Sequence, residues 1–156
     1  MIKSLKKTFA GNLSEQSKLC NALGDMLAES GFLNLALQYH TQDLEISEKH
    51  GKPLDIAVAH RKVGEVFAEL GEFAAAISHQ EQYMKISEDL CDMLEQQRAH
   101  ATLGRTYYTQ LMSEREDRVV AELRKKSGQY YISALKLTDT LRSKRLSTEK
   151  EIMEVA

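Results

Sequence analysis

Apolar residues recur along this chain at the spacing of amphipathic helices, and the whole pattern repeats. Gly24, Gly64 and Gly104 each lie between an apolar and a polar residue, and they are 40 residues apart. An apolar residue follows each glycine after three positions. In the first two copies a second glycine follows after seven positions and an alanine after twelve. A period of this length predicts an array of stacked helical repeats.

Each repeat predicts a pair of helices packed through small side chains. The glycine lets the second helix approach closely, and Ala36 or Ala76 is expected where the two helices cross. Such a pair buries its apolar face only by stacking on the next pair. The sequence therefore predicts an all-α fold, a right-handed α-solenoid of about three tetratricopeptide-like helix pairs with extra terminal helices.

We expect one domain over residues 1–156, whose repeats differ in regularity. The third copy has charged residues where the second glycine and the alanine should stand, and the helix pattern returns near Tyr131. An insertion, or a second helix lengthened at its start, explains this loss of register. Ser14 is the expected N-cap of the first repeat. The predicted parts are a lead helix at 1–12, repeats at 14–50, 53–91 and 93–142, an insertion at about 113–127, and a C-terminal helix or tail at 143–156.

The last segment offers little apolar surface to cover the third repeat. A solenoid needs a polar terminal cap. We therefore expect weak, concentration-dependent self-association through the C-terminal helices, unless Leu146, Ile152 and Met153 fold back as a cap.

Composition excludes several classes of protein. Only one proline and no tryptophan occur, and 28% of residues are charged, which disfavours a strand-rich fold. Two cysteines and no apolar leader predict an intracellular, reducing compartment. No apolar run is long enough to span a bilayer, so we expect no membrane partner. A net charge of −2 gives no general attraction to nucleic acid.

Candidate chemistry is sparse. Cys20, His60 and His100 share one repeat position, 40 residues apart, which suggests a metal site. Equivalent positions in stacked helix pairs lie about 10 Å apart, however, whereas bonds to zinc are about 2.0–2.3 Å long. A packing position between helices is the preferred interpretation. No phosphate loop, nucleophile elbow or zinc-protease motif appears, so we expect neither an enzyme nor a bound cofactor or metal.

Binding of a peptide or protein segment is the function that the scaffold favours. In a helix-pair solenoid the first helices of the pairs line a concave groove. Positive charge collects toward the third repeat, which predicts an acidic peptide or acidic protein segment as the ligand. The alternative is a solvated face held by internal salt bridges. By this register the predicted groove residues are Lys18, Asn21, Asp25, Arg61, Lys62, Glu65, Arg98, Arg105 and Tyr108.

Three segments carry a more specific likeness. Segment 57–65 contains Ala-His-Arg-Lys-x-Gly-Glu, segment 97–106 ends in Leu-Gly-Arg-Thr, and segment 75–83 lies between them. Together with the irregular third repeat, they resemble the N-terminal tetratricopeptide region of the Tonsoku-like family. The resemblance covers the chain from about Ser17 to Leu141.

The resemblance implies a role as well as a fold. The family comprises nuclear scaffold proteins that work with a large helical partner subunit and associate with histones and histone chaperones. They support homologous recombination repair at damaged replication forks. Family members continue into ankyrin repeats that bind a histone tail, and this sequence has no such motif. It is expected to be either a fragment of a longer scaffold or a divergent short member.

Two other classes of adaptor remain open. Repeats lengthened to about 40 residues also occur in spindle-orientation and motor-cargo scaffolds, which bind acidic peptides. A co-chaperone that grips a C-terminal carboxylate needs Lys and Asn at set positions, and only Asn21 fits. Continuation of the parent chain into ankyrin repeats would separate these alternatives.

Overall fold

The computed structural model describes the backbone of residues 2–155 and the side chains of residues 12–155. Within residues 2–155 it contains no strand, so the predicted all-helical class is confirmed. The tetratricopeptide-type period and the right-handed solenoid stay predictions. The helices of this part of the chain are α1 (Ile2–Glu29), α2 (Leu33–His50), α3 (Pro53–Glu69), α4 (Phe73–Asp89), α5 (Met93–Ser113) and α6 (Asp117–Val155).

The helices fall into two compact units. Unit 1 ends at Ile86, and unit 2 begins at Ser87, near the end of α4. In unit 1, α2 packs against both α1 and α3. Its core cluster joins Leu44 of α2 to Ala59 and Val63 of α3. In unit 2, α5 packs against α6, and the buried apolar side chains there include Leu103 and Leu123.

Left-handed residues end three of the helices. Gly31 has φ +86° and Gly71 has φ +79°, in the turns after α1 and α3. At the first turn, the amide of Phe32 donates to the carbonyl of Leu27 at 2.9 Å, and the amide of Gly31 donates to Ala28 at 3.1 Å. These are the two hydrogen bonds of a Schellman cap. Cys91 has φ 53° in the turn after α4, a conformation that glycine adopts at lower cost.

Each repeat glycine is covered by a side chain from the other helix of its pair. A Cβ added to Gly24 would stand 2.6 Å from the His40 ring. One added to Gly64 would stand 3.0 Å from Cγ of Gln80 and 3.2 Å from the carbonyl oxygen of Ala76. The crossing predicted between Gly64 and Ala76 is therefore present. His40 and Gln80 are themselves 40 residues apart and almost wholly buried.

The first correction concerns the start of the chain. A lead helix at 1–12 and a first repeat beginning at 14 were predicted as separate elements, with Ser14 as the cap. Instead α1 runs without a break from Ile2 to Glu29, so Ser14 lies inside the helix. One interior glycine, Gly11, costs a helix only about 1 kcal/mol and does not interrupt it without a proline.

The second correction concerns the end. The insertion at about 113–127 and the separate element at 143–156 both belong mainly to α6. Between Met93 and Val155 the chain leaves helical structure only over Glu114–Glu116. The second helix of the third repeat, which is part of α6, does have a lengthened start. Tyr131 covers Gly104 27 residues later, whereas His40 and Gln80 each cover their glycine after 16. The extra residues are thus built as additional helix.

The end of α6 does not fold back. Leu146, Ile152 and Met153 are 56%, 64% and 79% exposed, so they form no cap. Within residues 2–155, no helix combines the length and the apolar character needed to cross a membrane.

The crossing in unit 1 generates a stability prediction. Gly64→Leu and Ala76→Leu should each overpack it and lower the free energy of unfolding by about 1–3 kcal/mol. Because Ala76 is fully buried beside Gly64, the double variant should be non-additive. Urea denaturation measures both effects. The exposed Glu81 of α4 gives the control, since Glu81→Ala should change stability by less than about 0.5 kcal/mol. Additive losses would place the crossing elsewhere.

Candidate peptide-binding surface

The predicted groove residues of α1 and α3 meet in unit 1 as an ion pair. Nζ of Lys62 donates to Oδ1 of Asp25 at 2.8 Å. The same oxygen lies 3.4 Å from Nε2 of His40, which is buried on α2. Asp25 thus links three helices, and the charge of Lys62 is balanced inside the fold.

The other predicted cation of α3 is also paired. Nη1 of Arg61 lies 3.3 Å from Oε1 of Glu65, one turn further along the helix. The guanidinium carbon is 6.0 Å from the centre of the Tyr83 ring, at the limit of a cation–π contact. Both Arg61 and Glu65 are about one-third exposed or less, so a ligand can reach them only by competing with this pair.

The remaining groove residues of unit 1 lie on α1, nearer its N-terminus than Asp25. Lys18 is exposed and has Glu15 at 3.5 Å. Asn21 is half-buried, and its amide oxygen has no hydrogen-bond partner among residues 12–155.

In unit 2 the predicted residues all lie on α5. Nη1 of Arg98 donates to Oε1 of Glu95 at 2.8 Å. Arg105 and Tyr108 are exposed and three positions apart, so they lie on neighbouring turns of one face. Within the described side chains Arg105 has no ion pair, and it is therefore the predicted groove cation most available to a ligand.

The shared repeat position of Cys20, His60 and His100 is a packing position, as the sequence indicated. Cys20 is buried, and burial together with the nearby Asp43 raises the pKa of its thiol. His60 lies 3.8 Å from Glu48 in unit 1, and His100 lies 3.9 Å from Glu88 in unit 2. The two histidines are 40 residues apart, and so are the two glutamates, so this contact recurs with the repeat.

One contact was not predicted from the sequence. The Nδ1 atoms of His60 and His79 are 3.0 Å apart, so one ring donates a hydrogen bond and the other accepts it. The His79 ring also stacks on Phe67, with ring centres 5.6 Å apart. The two histidines lie on different helices, and no spacing rule brings them together; their places on the inward faces of α3 and α4 were the only available signal.

Burial lowers the pKa of four histidines in the two units. Desolvation is the main cause for His40, His60, His79 and His100. For His60 the neighbouring His79 lowers the pKa further, and Glu48 partly opposes the shift. The carboxyl group of Asp43 shows the converse, since burial raises its pKa while hydrogen bonds from Ser17 and Ser47 act against that shift.

Unit 1 also contains a cavity of about 170 Å³ among α1, α2 and α3. Ser17, Ser47 and Asp55 are among its lining residues, and none of the predicted groove residues is. Among the described residues, no group of three or more His, Cys, Asp or Glu is arranged to hold a metal ion.

Comparison with known proteins identifies relatives by sequence. No protein-family model matches the chain. A Tonsoku-like protein of Bos taurus is 44% identical over 98 residues, which is 63% of this chain. Tonsoku-like proteins of Mus musculus and Drosophila melanogaster are 42% and 38% identical, each over 62% of the chain. In all three, the matched part is only 7% of the relative's length.

The lowered histidine pKa values predict destabilisation by acid. The unfolded chain takes up protons at its ordinary histidine value of 6.5, before the folded protein does. Stability is therefore fully present above that pH and is lost as the pH falls through the lowered values of the folded state. Urea midpoints measured at neutral and mildly acidic pH should show this loss.

His79 provides the test of its origin. Tyr39 stands 40 residues before His79, so His79→Tyr is a substitution that the repeat already accommodates. This variant should lose less stability on acidification than the wild type. His50→Tyr, at an exposed position, is the matched control and should follow the wild type. An equal acid loss in the His79→Tyr variant would contradict the assignment.

Proposed function

We propose, because this chain belongs to the Tonsoku-like family, that it is a non-catalytic protein–protein interaction module. The observation that carries this proposal is the 38–44% identity to Tonsoku-like proteins over about 62% of the chain. Since the match spans 7% of those relatives, the activity of the whole protein is part of the proposal. The module would serve a nuclear scaffold for homologous recombination repair at replication forks.

Its ligands would be acidic segments of proteins associated with that scaffold. Histone chaperones are the preferred source, and histones and the large helical partner subunit of the family are further partners of the scaffold. Arginine suits such ligands because its planar guanidinium binds a carboxylate with two parallel hydrogen bonds. Arg105, exposed on α5, and Arg61, exposed in part on α3, would provide these contacts.

The ion pairs of unit 1 compete with an acidic ligand for the same cations. Lys62 and Arg61 already have carboxylate partners, Asp25 and Glu65. An acidic ligand must replace those partners, so each of these cations contributes less binding free energy than an unpaired cation would. This competition suits weak and reversible recognition, because each cation exchanges one carboxylate partner for another.

Charge reversal at two positions tests the proposed surface. The double variant Arg61→Glu plus Arg105→Glu should bind fluorescently labelled acidic peptides from histone chaperones at least about tenfold more weakly, because attraction becomes repulsion. Fluorescence anisotropy at two salt concentrations measures this effect, which should shrink at high salt. Unchanged affinity at low salt would reject the groove assignment.

Removal of an internal competitor should act in the opposite direction. Glu65→Gln keeps the shape of the side chain and removes its charge, which releases Arg61 from its partner. The same peptides should then bind several-fold more tightly at low salt. Glu81→Gln, at an exposed site on α4, changes the net charge equally and is the control. Equal gains in both variants would mean that net charge, and not Arg61, determines affinity.

A further inference from the structure

The outward side of α6 carries an apolar stripe that no part of the chain covers among residues 12–155. Ile132, Leu135, Leu146 and Met153 are 54%, 65%, 56% and 79% exposed. Buried Ser127 and Ala134 mark the inner face of this helix. The stripe lies one position further on, at 128 and 135, and so about 100° around the helix from that inner face.

The stripe has the spacing of a coiled-coil seam. From Gly128 to Met153, its positions alternate steps of four and three residues through 132, 135, 139, 142, 146 and 149. Steps of four and three keep one face of a helix in register with a partner helix. Its apolar side chains are Ile132, Leu135, Leu146 and Met153, and it carries three charged ones, Asp139 and Arg142 at its centre and Glu149 near its end.

Three of the four pairs of seam positions are complementary when the helix is reversed. The centre of the seam lies between positions 140 and 141, and Asp139 and Arg142 are equally spaced about that point. So are Leu135 and Leu146, and so are Gly128 and Met153. Two copies of α6 placed antiparallel would therefore bring acid to base, leucine to leucine and methionine to glycine, each contact occurring twice. The fourth pair, Ile132 with Glu149, is the one unfavourable contact of this register.

Gly128 supplies an independent observation. A Cβ added there would meet no atom within 4 Å, whereas Gly24, Gly64 and Gly104 are each covered by a side chain. Glycine is unfavourable inside a helix, and at Gly128 no contact within the described chain accounts for it. A long side chain approaching from outside would occupy this space, and the seam places Met153 of a second copy there.

We propose that two copies of this chain pair through α6 as an antiparallel two-helix seam over residues 128–153. The contact is about 38 Å long, from the helical rise of about 1.5 Å per residue. It is a two-fold symmetric interface, in which the same patch serves both copies. Asp139 of each copy faces Arg142 of the other. Lys136 faces Arg145 across the seam, and Glu149 of the same helix, 3.1 Å from Nε of Arg145, offsets that repulsion.

Charge reversal tests the pairing and its direction together. In sedimentation velocity, the wild-type chain should pass from monomer to dimer as its concentration rises. Asp139→Arg would set arginine against Arg142, and Arg142→Asp would set aspartate against Asp139. Each variant alone should dimerise at least about tenfold more weakly, because like charges then face each other twice. An equimolar mixture of the two variants should recover the dimer, because both central pairs then become attractive.

The controls separate pairing from folding. Thr140→Arg introduces the same side chain at the adjacent exposed position, off the seam, and should dimerise as the wild type does. Far-ultraviolet circular dichroism reports whether each variant keeps its helix. If either reversal unfolds α6, Leu135→Lys mixed with Leu146→Glu tests the same register.

Three results would overturn the proposal. They are a wild-type chain that stays monomeric at every concentration, single reversals that dimerise like the wild type, and a folded mixture that fails to recover the dimer. The first result would leave the exposed seam to a different protein partner. Because the acidic-peptide assays use α3 and α5, failure here leaves the proposed function standing, and failure there leaves this seam standing.

Discussion

Close approach of paired helices at a glycine is the constraint on which the rest of the structure depends. At Gly24 and Gly64 the facing side chain lies so near that no Cβ fits without displacement. Gly104 is similarly close to the ring of Tyr131. Once a helix pair is held at that distance, the positions of neighbouring side chains follow. Ala76 at its crossing, the buried His40 or Gln80 and the inward histidines are all consequences of one short separation.

Short separation also determines the electrostatics of unit 1. Helices this close bring polar side chains out of water, and several of these side chains have partners inside the unit. Asp25 joins Lys62 to His40, Ser17 donates a hydrogen bond to Asp43, and His60 shares a hydrogen bond with His79. A buried polar group without a partner is costly, and one with a partner is specific to its place. The surface offered to a ligand is therefore less basic than a count of arginines and lysines indicates.

The long helix α6 differs from the repeats. Its first part covers Gly104 through Tyr131 and contributes Leu123 and Ala134 to the interior of unit 2. Its later part contacts α5 at Lys144, whose Nζ lies 3.1 Å from Sδ of Met93, and beyond that point Leu146, Ile152, Met153 and Val155 are exposed. One helix thus combines an inner face that completes a repeat with an outer face that is free to meet another molecule.

Local and periodic features could be predicted from the sequence by itself. The helical class, the crossing at Gly64 and Ala76 and the packing position shared by Cys20, His60 and His100 depend on spacing and propensity, which a sequence displays directly. The continuity of α1 and α6, the contact between His60 and His79 and the pairing of Lys62 with Asp25 were decided only by tertiary structure. The two contacts depend on which faces of different helices meet and on the distance between them. The continuity of α1 depends on a balance in which one glycine, without a proline, was too weak to end a helix.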